Sequence, residues 1–153
     1  FSPRVYTDNK NLFQNEYRQV NNNSSHIADF SIIRDNSNSK SHFFSNSLAK
    51  INLANFVDSE VEINIETTSN NNYLKSYKIK SEITNNNSLL NSFLKLKANK
   101  EDLSFETKFE VYEDLTTDKD SDKYQFLLPG FELSKNFNNN LNLFTVKSVL
   151  KKL

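Results

Sequence analysis

The chain has 153 residues, with 19 Lys and Arg against 19 Asp and Glu, no Cys, one Gly, two Pro, 13 Phe and 6 Tyr. Balanced charge leaves no global field to attract nucleic acid or an anionic surface. The missing cysteines exclude disulfides, thiolate catalysis and Cys-based zinc sites within the chain. No apolar run approaches the roughly 18 residues of a membrane helix, which still permits membrane strands of about 9–11 alternating residues.

The first twenty residues, FSPRVYTDNKNLFQNEYRQV, alternate on either side of a polar turn and predict a hairpin of strands 1–7 and 11–21. With Asp8–Lys10 as its loop, Val5 opposes Phe13 and Phe1 opposes Tyr17 on one face, and Arg4 opposes Gln14 on the other. Arg18 is then expected to reach Asp29 on the next strand. Period-two alternation continues through 26–35, 41–53, 60–69, 73–83, 89–99, 103–115, 123–136 and 141–150. It is clearest in LSFETKFEVYEDL, where Leu103, Phe105, Thr107, Phe109 and Val111 share one face. EVEINIET separates Val61, Ile63 and Ile65 from Glu60, Glu62, Asn64 and Glu66 just as cleanly. SLLNSFLKLK and VKSVLKKL suit a helix or a strand, and the strand is preferred from their β neighbours. Asn triplets at 21–23, 70–72, 85–87 and 138–140 stand between apolar runs, where Asn supplies the turn conformations that Gly otherwise would. Short polar connections predict an all-β antiparallel meander of about ten long strands, one unit over 1–153. Both ends fall inside strand-like sequence, so the expectation is a piece of a larger protein.

Charge tests the registers. A loop at Asn70–Asn72 would set Ile65 against Tyr77, Ile63 against Ile79, Glu62 against Lys80 and Asn64 against Lys78. A turn at Asn99–Asp102 would set Leu96 against Phe105 and Lys95 against Glu106.

Each clean strand thus carries one apolar and one charged row. Two environments require this: a soluble sandwich whose apolar faces meet, or an outer-membrane barrel with an apolar face in lipid and a charged face on an aqueous lumen. Strand length, nearest-neighbour connections and aromatics near strand ends (Phe13, Tyr17, Phe43, Tyr73, Phe137) favour the barrel. Apolar rows broken by Ser, Thr or Asn, and Lys75 on an apolar row, stand against it. The deciding observation is whether Val61, Ile63, Ile65, Phe105, Phe109 and Val111 lie exposed or are buried against a second sheet.

Site chemistry is sparse. His26 and His42 have no third ligand at metal spacing and read as exposed strand-end or lumen residues. Ser24, Ser25 and His26 lack a nucleophile turn and an orienting acid. Asp114, Asp118, Asp120 and Asp122 lack the Gly of a calcium loop and are neutralised by Lys119 and Lys123. Glu60, Glu62 and Glu66 form a row balanced by Lys78 and Lys80. No catalytic, cofactor or metal residue is assigned, and no enzymatic activity is expected. The polar residues expected to face a lumen are Arg4, Glu16, Arg18, Asp29, Lys50, Glu62, Lys78, Lys80, Lys95 and Glu106. Pro3 and Pro129 are the expected strand-kink positions, Pro129 beside the single Gly marking a bulge.

The order of FSPRVYTDNKNLFQNEYRQV, SSHIADFSIIRD, SKSHFFSNSLAKI, SNNNYLKSYKIK and FEVYEDLTTDKDSDKYQFLLPGFELSKNF resembles the early barrel strands of the LPS-assembly LptD family, the OstA or organic solvent tolerance proteins of alphaproteobacterial type. The resemblance implies a partial, open segment of an outer-membrane β-barrel that inserts lipopolysaccharide into the outer leaflet of Gram-negative bacteria. It further implies an LptE-like plug lipoprotein and a periplasmic bridge protein of the LptA type as partners, besides outer-membrane lipid. Pro3 would then weaken pairing near a lateral gate. The family's periplasmic jelly roll, later barrel strands and disulfide cysteines have no counterpart in the sequence. The alternative is a soluble periplasmic sandwich or jelly-roll module that binds lipid or glycan.

Overall fold

A computed structural model describes residues 2–5, 11–34, 39–84, 86–117, 119–136 and 143–149. The strands are β1 (Ser2–Val5), β2 (Asn11–Asn21), β3 (Ser24–Arg34), β4 (Ser39–Lys50), β5 (Asp58–Thr68), β6 (Leu89–Lys100), β7 (Leu103–Asp114), β8 (Tyr124–Asn136) and β9 (Leu143–Val149). Two single-turn helices, α1 (Tyr73–Ser76) and α2 (Asp120–Lys123), lie in connections. All nine strands form one antiparallel sheet in chain order, open at β1 and β9 among the described residues. The meander is therefore all-β and free of crossovers. SLLNSFLKLK resolves as strand, and so does the described part of the last segment; residues 150–153 lie outside the described residues.

Two registers and one element differ from expectation. The first hairpin pairs Arg4 with Leu12 and Val5 with Asn11, two residues from the expected match. The Asp8–Lys10 loop and the Phe1–Tyr17 pair lie outside the described residues. The β6–β7 hairpin turns on Glu101–Asp102, so Leu96 faces Thr107 and Lys95 faces Lys108. Both slips are by two. An even slip leaves every side chain on its face, because side chains alternate with period two.

The third difference is one of element type. The expected strand 73–83 is absent: β5 pairs directly with β6, setting Ile63 against Leu94 and Glu62 against Lys95. Residues 69–84 and 86–88 instead fold over the charged face of the sheet. Lys78 sits there at φ 49°, a left-handed conformation closed to a β-strand. That φ follows directly on α1, where the chain must reverse. Lys78→Gly is expected to hold or raise stability by about 1 kcal/mol, since a non-Gly residue costs roughly 1–2 kcal/mol in this region. Denaturant titration of the purified protein checks it; a loss above about 1 kcal/mol would contradict the strain.

Pro129 marks an irregularity as expected. The β7–β8 register shifts between Lys108, paired with Gly130, and Glu110, paired with Leu127. The apolar row of β8 consequently changes parity, from Tyr124 and Phe126 before the bulge to Phe131 and Leu133 after it. Pro suits the site because it has no N–H to leave unpaired.

Candidate functional site

The two faces of the sheet differ in kind. On the apolar face, Phe13, Phe30, Phe43, Ile63, Leu94, Phe109, Phe126 and Phe131 run from β2 to β8 and stay exposed. Ile65 is 43% exposed, Phe109 49% and Phe126 62%, while Val61, Phe105 and Val111 are half-buried. Among the described residues no second sheet covers this face. A soluble sheet needs such a row buried, because each large apolar side chain gains about 1.5–3 kcal/mol on leaving water.

The buried core lies on the other side. Leu12, Ile33 and Phe44 pack with Tyr73, Leu74 and Ile79 of the 69–88 segment, joined by Leu90 and Leu115. Polar anchors fix the segment to the wall. Arg4 donates to the Tyr77 carbonyl (3.2 Å) and Gln14 to the Lys80 carbonyl (2.9 Å). The Tyr73 hydroxyl shares a hydrogen bond with Ser31 Oγ (2.7 Å), which also meets His42 Nδ1 (2.6 Å). Gln14 Nε2 donates to both Asp29 oxygens (3.1 Å each), and His42 Nε2 lies 3.6 Å from Asp29. Asp29 and Ser31 are each 1% exposed. Most of these buried groups are hydrogen-bonded, His42 Nε2 being the exception, and together they specify one docking position for the segment.

The expected lumen-facing residues divide into five groups. Arg4 and Asp29 belong to the buried anchor. Glu16 and Arg18 remain exposed, but Arg18 pairs with Glu16 and with Glu82 of the segment (2.8 Å), not with Asp29; the register sets Asp29 opposite Glu16 instead. Glu62, Lys95 and Glu106 lie on the charged face in a ladder: Lys95 reaches Glu106 (3.4 Å), Lys97 reaches Glu60 (3.6 Å) and Glu106 (4.0 Å), and Asn46 donates to Glu62 (3.0 Å). The Lys95–Glu106 contact survives the register slip as a diagonal. Lys50 pairs with Glu60 in register and is exposed. Lys78 and Lys80 lie in the overlying segment, exposed, so they do not balance Glu60, Glu62 and Glu66 as expected. Pro3 pairs in register with Phe13 in β1, next to the sheet edge.

His42 and Tyr73 depart furthest from their expected places. Both are buried, not on a lumen wall or an aromatic girdle. No local signal marks them; only the docking of 69–88 across β1–β4 does. Lys75, expected on an apolar strand row, is exposed in α1. Among the described residues no group of three or more His, Asp or Glu is placed to hold a metal ion. Lys95→Ala is expected to change unfolding free energy by less than about 1 kcal/mol, because half-solvated pairs are screened and entropically costly. A urea titration that showed more would make the ladder structural rather than a solvated wall.

The chain matches no protein-family model, no curated protein and no solved structure.

Proposed function

We propose that this chain forms part of the wall of an outer-membrane β-barrel that delivers lipopolysaccharide to the outer leaflet of a Gram-negative bacterium, acting as a translocon and not as an enzyme. The observation that carries the membrane reading is the uncovered apolar face running from β2 to β8. Its complement is a charged face with ion pairs, buried amides and an inward-folded connection. Strand length agrees: 11 to 13 residues in β2–β8 span roughly 37–44 Å along the strand. At a tilt of about 45° this crosses roughly 26–31 Å, against an apolar band near 25 Å.

The connections suggest an orientation. At one end of the sheet β2–β3 and β6–β7 turn on the two-residue links Asn22–Asn23 and Glu101–Asp102; at the other lie 69–88 and the α2 connection. Barrels of this type keep short turns on the periplasmic side and long loops outside, so 69–88 enters from the external mouth. A mixed-charge wall gives a phosphorylated sugar polymer places to bind weakly and leave. The resemblance of its motif order to LptD proteins supports the substrate, the LptE-like plug, the LptA-type bridge protein and the lateral exit of lipid A in this reading. Edges at β1 and β9 would be closed by further strands.

The second reading is a soluble periplasmic module that binds lipid or glycan. An apolar groove of about 410 Å³ lined by Ile63, Ile65, Leu94, Phe109, Phe126 and Pro129 favours a lipid there. Fractionation of cells that express the full-length protein separates the two. Recovery with the outer membrane, and loss of surface lipopolysaccharide on depletion, is the expected result; recovery in the soluble periplasm would overturn the proposal.

A further inference from the structure

We infer that a second cavity, on the charged face, is a binding subsite for one neutral sugar ring. It measures about 360 Å³ and lies where β4, β5 and β6 meet the end of the 69–88 segment, lined by Asn46, Asn64, Glu66, Thr84, Asn91 and Phe93 among others. Its volume falls in the range of small-ligand sites, about 300–1,000 Å³. This names a ligand for one stretch of the wall proposed above, and it rests on that wall facing water.

The chemistry of the lining selects the ligand. Its polar side chains are amides, a hydroxyl and one carboxylate, and among the described residues no cation lines it. Glu66 is 8% exposed and already oriented, its two oxygens accepting from Asn64 Nδ2 (3.0 Å) and the Asn91 amide (3.1 Å). Each carboxylate oxygen keeps room for another donor. Asn64, 5% exposed, also donates to the Asn91 carbonyl (2.7 Å) and accepts from Asn46 (3.3 Å). An anionic phosphate would be repelled by Glu66, and an alkyl chain would strip these amides of water with nothing in return. A pyranose fits both demands, with hydroxyl donors at its rim and an apolar C–H face for Phe93.

Asn91 lines the cavity, while its Oδ1 is itself buried and, among the described residues, accepts no hydrogen bond. Lys108, 4.3 Å from the Phe93 ring centre, is paired with Glu110, so it does not convert the cavity to an anion site.

Saturation-transfer NMR on the full chain in detergent micelles tests this with glucose, maltotriose and glucose 6-phosphate as probes. The expected result is transfer to glucose and maltotriose ring protons at millimolar affinity, weaker transfer to glucose 6-phosphate, and a loss of roughly threefold to tenfold in affinity in Asn91→Leu. Asn46→Leu, at the other side of the cavity, is expected to show a loss of the same order and carries the test if Asn91→Leu does not fold. Equal response to glucose and its phosphate, or wild-type affinity in the folded variants, overturns the inference. Labelling of Asn86→Cys with a charged maleimide reads water access separately. Rapid labelling without sugar binding removes the subsite alone; no labelling removes the aqueous wall and the subsite together.

Discussion

On the proposed membrane reading, Phe109→Arg is expected to destabilise the protein in a bilayer by about 2–4 kcal/mol, the cost of a cation near the midplane of a lipid-facing row. Phe109 lies midway along β7, paired with Leu94 and 49% exposed. An exposed residue of a soluble sheet has no comparable penalty, since surface substitutions usually stay within about 0.5 kcal/mol. Phe109→Leu is the control for lost aromatic area. Urea or guanidinium titration in lipid vesicles measures both variants, and equal midpoints would remove lipid from this face. Lys95→Ala on the opposite face completes the comparison: the cost depends on which face is touched, not on how exposed the residue is in the isolated sheet.

The second large effect concerns the inward segment. Tyr73→Ala empties a fully buried position between Leu74, His42 and Phe44 and strips Ser31 of a partner. Large-to-small changes of this kind cost about 3–5 kcal/mol. The loss falls on local docking of 69–88, because that segment contributes no strand to the sheet. Trypsin reads it directly: Lys75, Lys78 and Lys80 lie exposed on the segment. Cleavage there is expected to accelerate about a hundredfold or more, if opening is fast relative to cutting, while far-ultraviolet circular dichroism keeps its strand signature. Tyr73→Phe, which loses only the hydroxyl, is expected to cost about 1–3 kcal/mol. Global unfolding without a selective cut would mean that the segment is part of the sheet's own foundation, not a separable inner loop.

These two variants probe what was unequally legible in the sequence. Alternation alone separated the faces of β5 and β7, because charge on Glu60, Glu62, Glu106 and Lys108 and bulk on Ile63, Ile65, Phe105 and Phe109 repeat every second residue. The two hairpins whose registers slipped still carried the right faces, since an error of two preserves parity. The bulge at Pro129 was also readable, because Pro and the single Gly break a ladder wherever they fall.

The 73–83 stretch was not readable in the same way. Tyr73, Tyr77, Ile79 and Ile83 suit a strand, whereas Tyr73, Leu74 and Tyr77 suit a helical turn, and local propensity is too weak to choose. Contacts far away in sequence made the choice: β5 takes β6 as its neighbour, and Leu12, Ile33 and Phe44 offer the displaced segment an apolar seat on an otherwise charged face. His42, Asp29 and Gln14 acquired their buried roles from that seat, and the sugar-sized cavity was formed at its margin. Residue order thus determined the strands and their two faces, because alternation is local and periodic. Only the tertiary fold decided what lies against the charged face, because that depends on burial shared among four strands and a connection that no local pattern links.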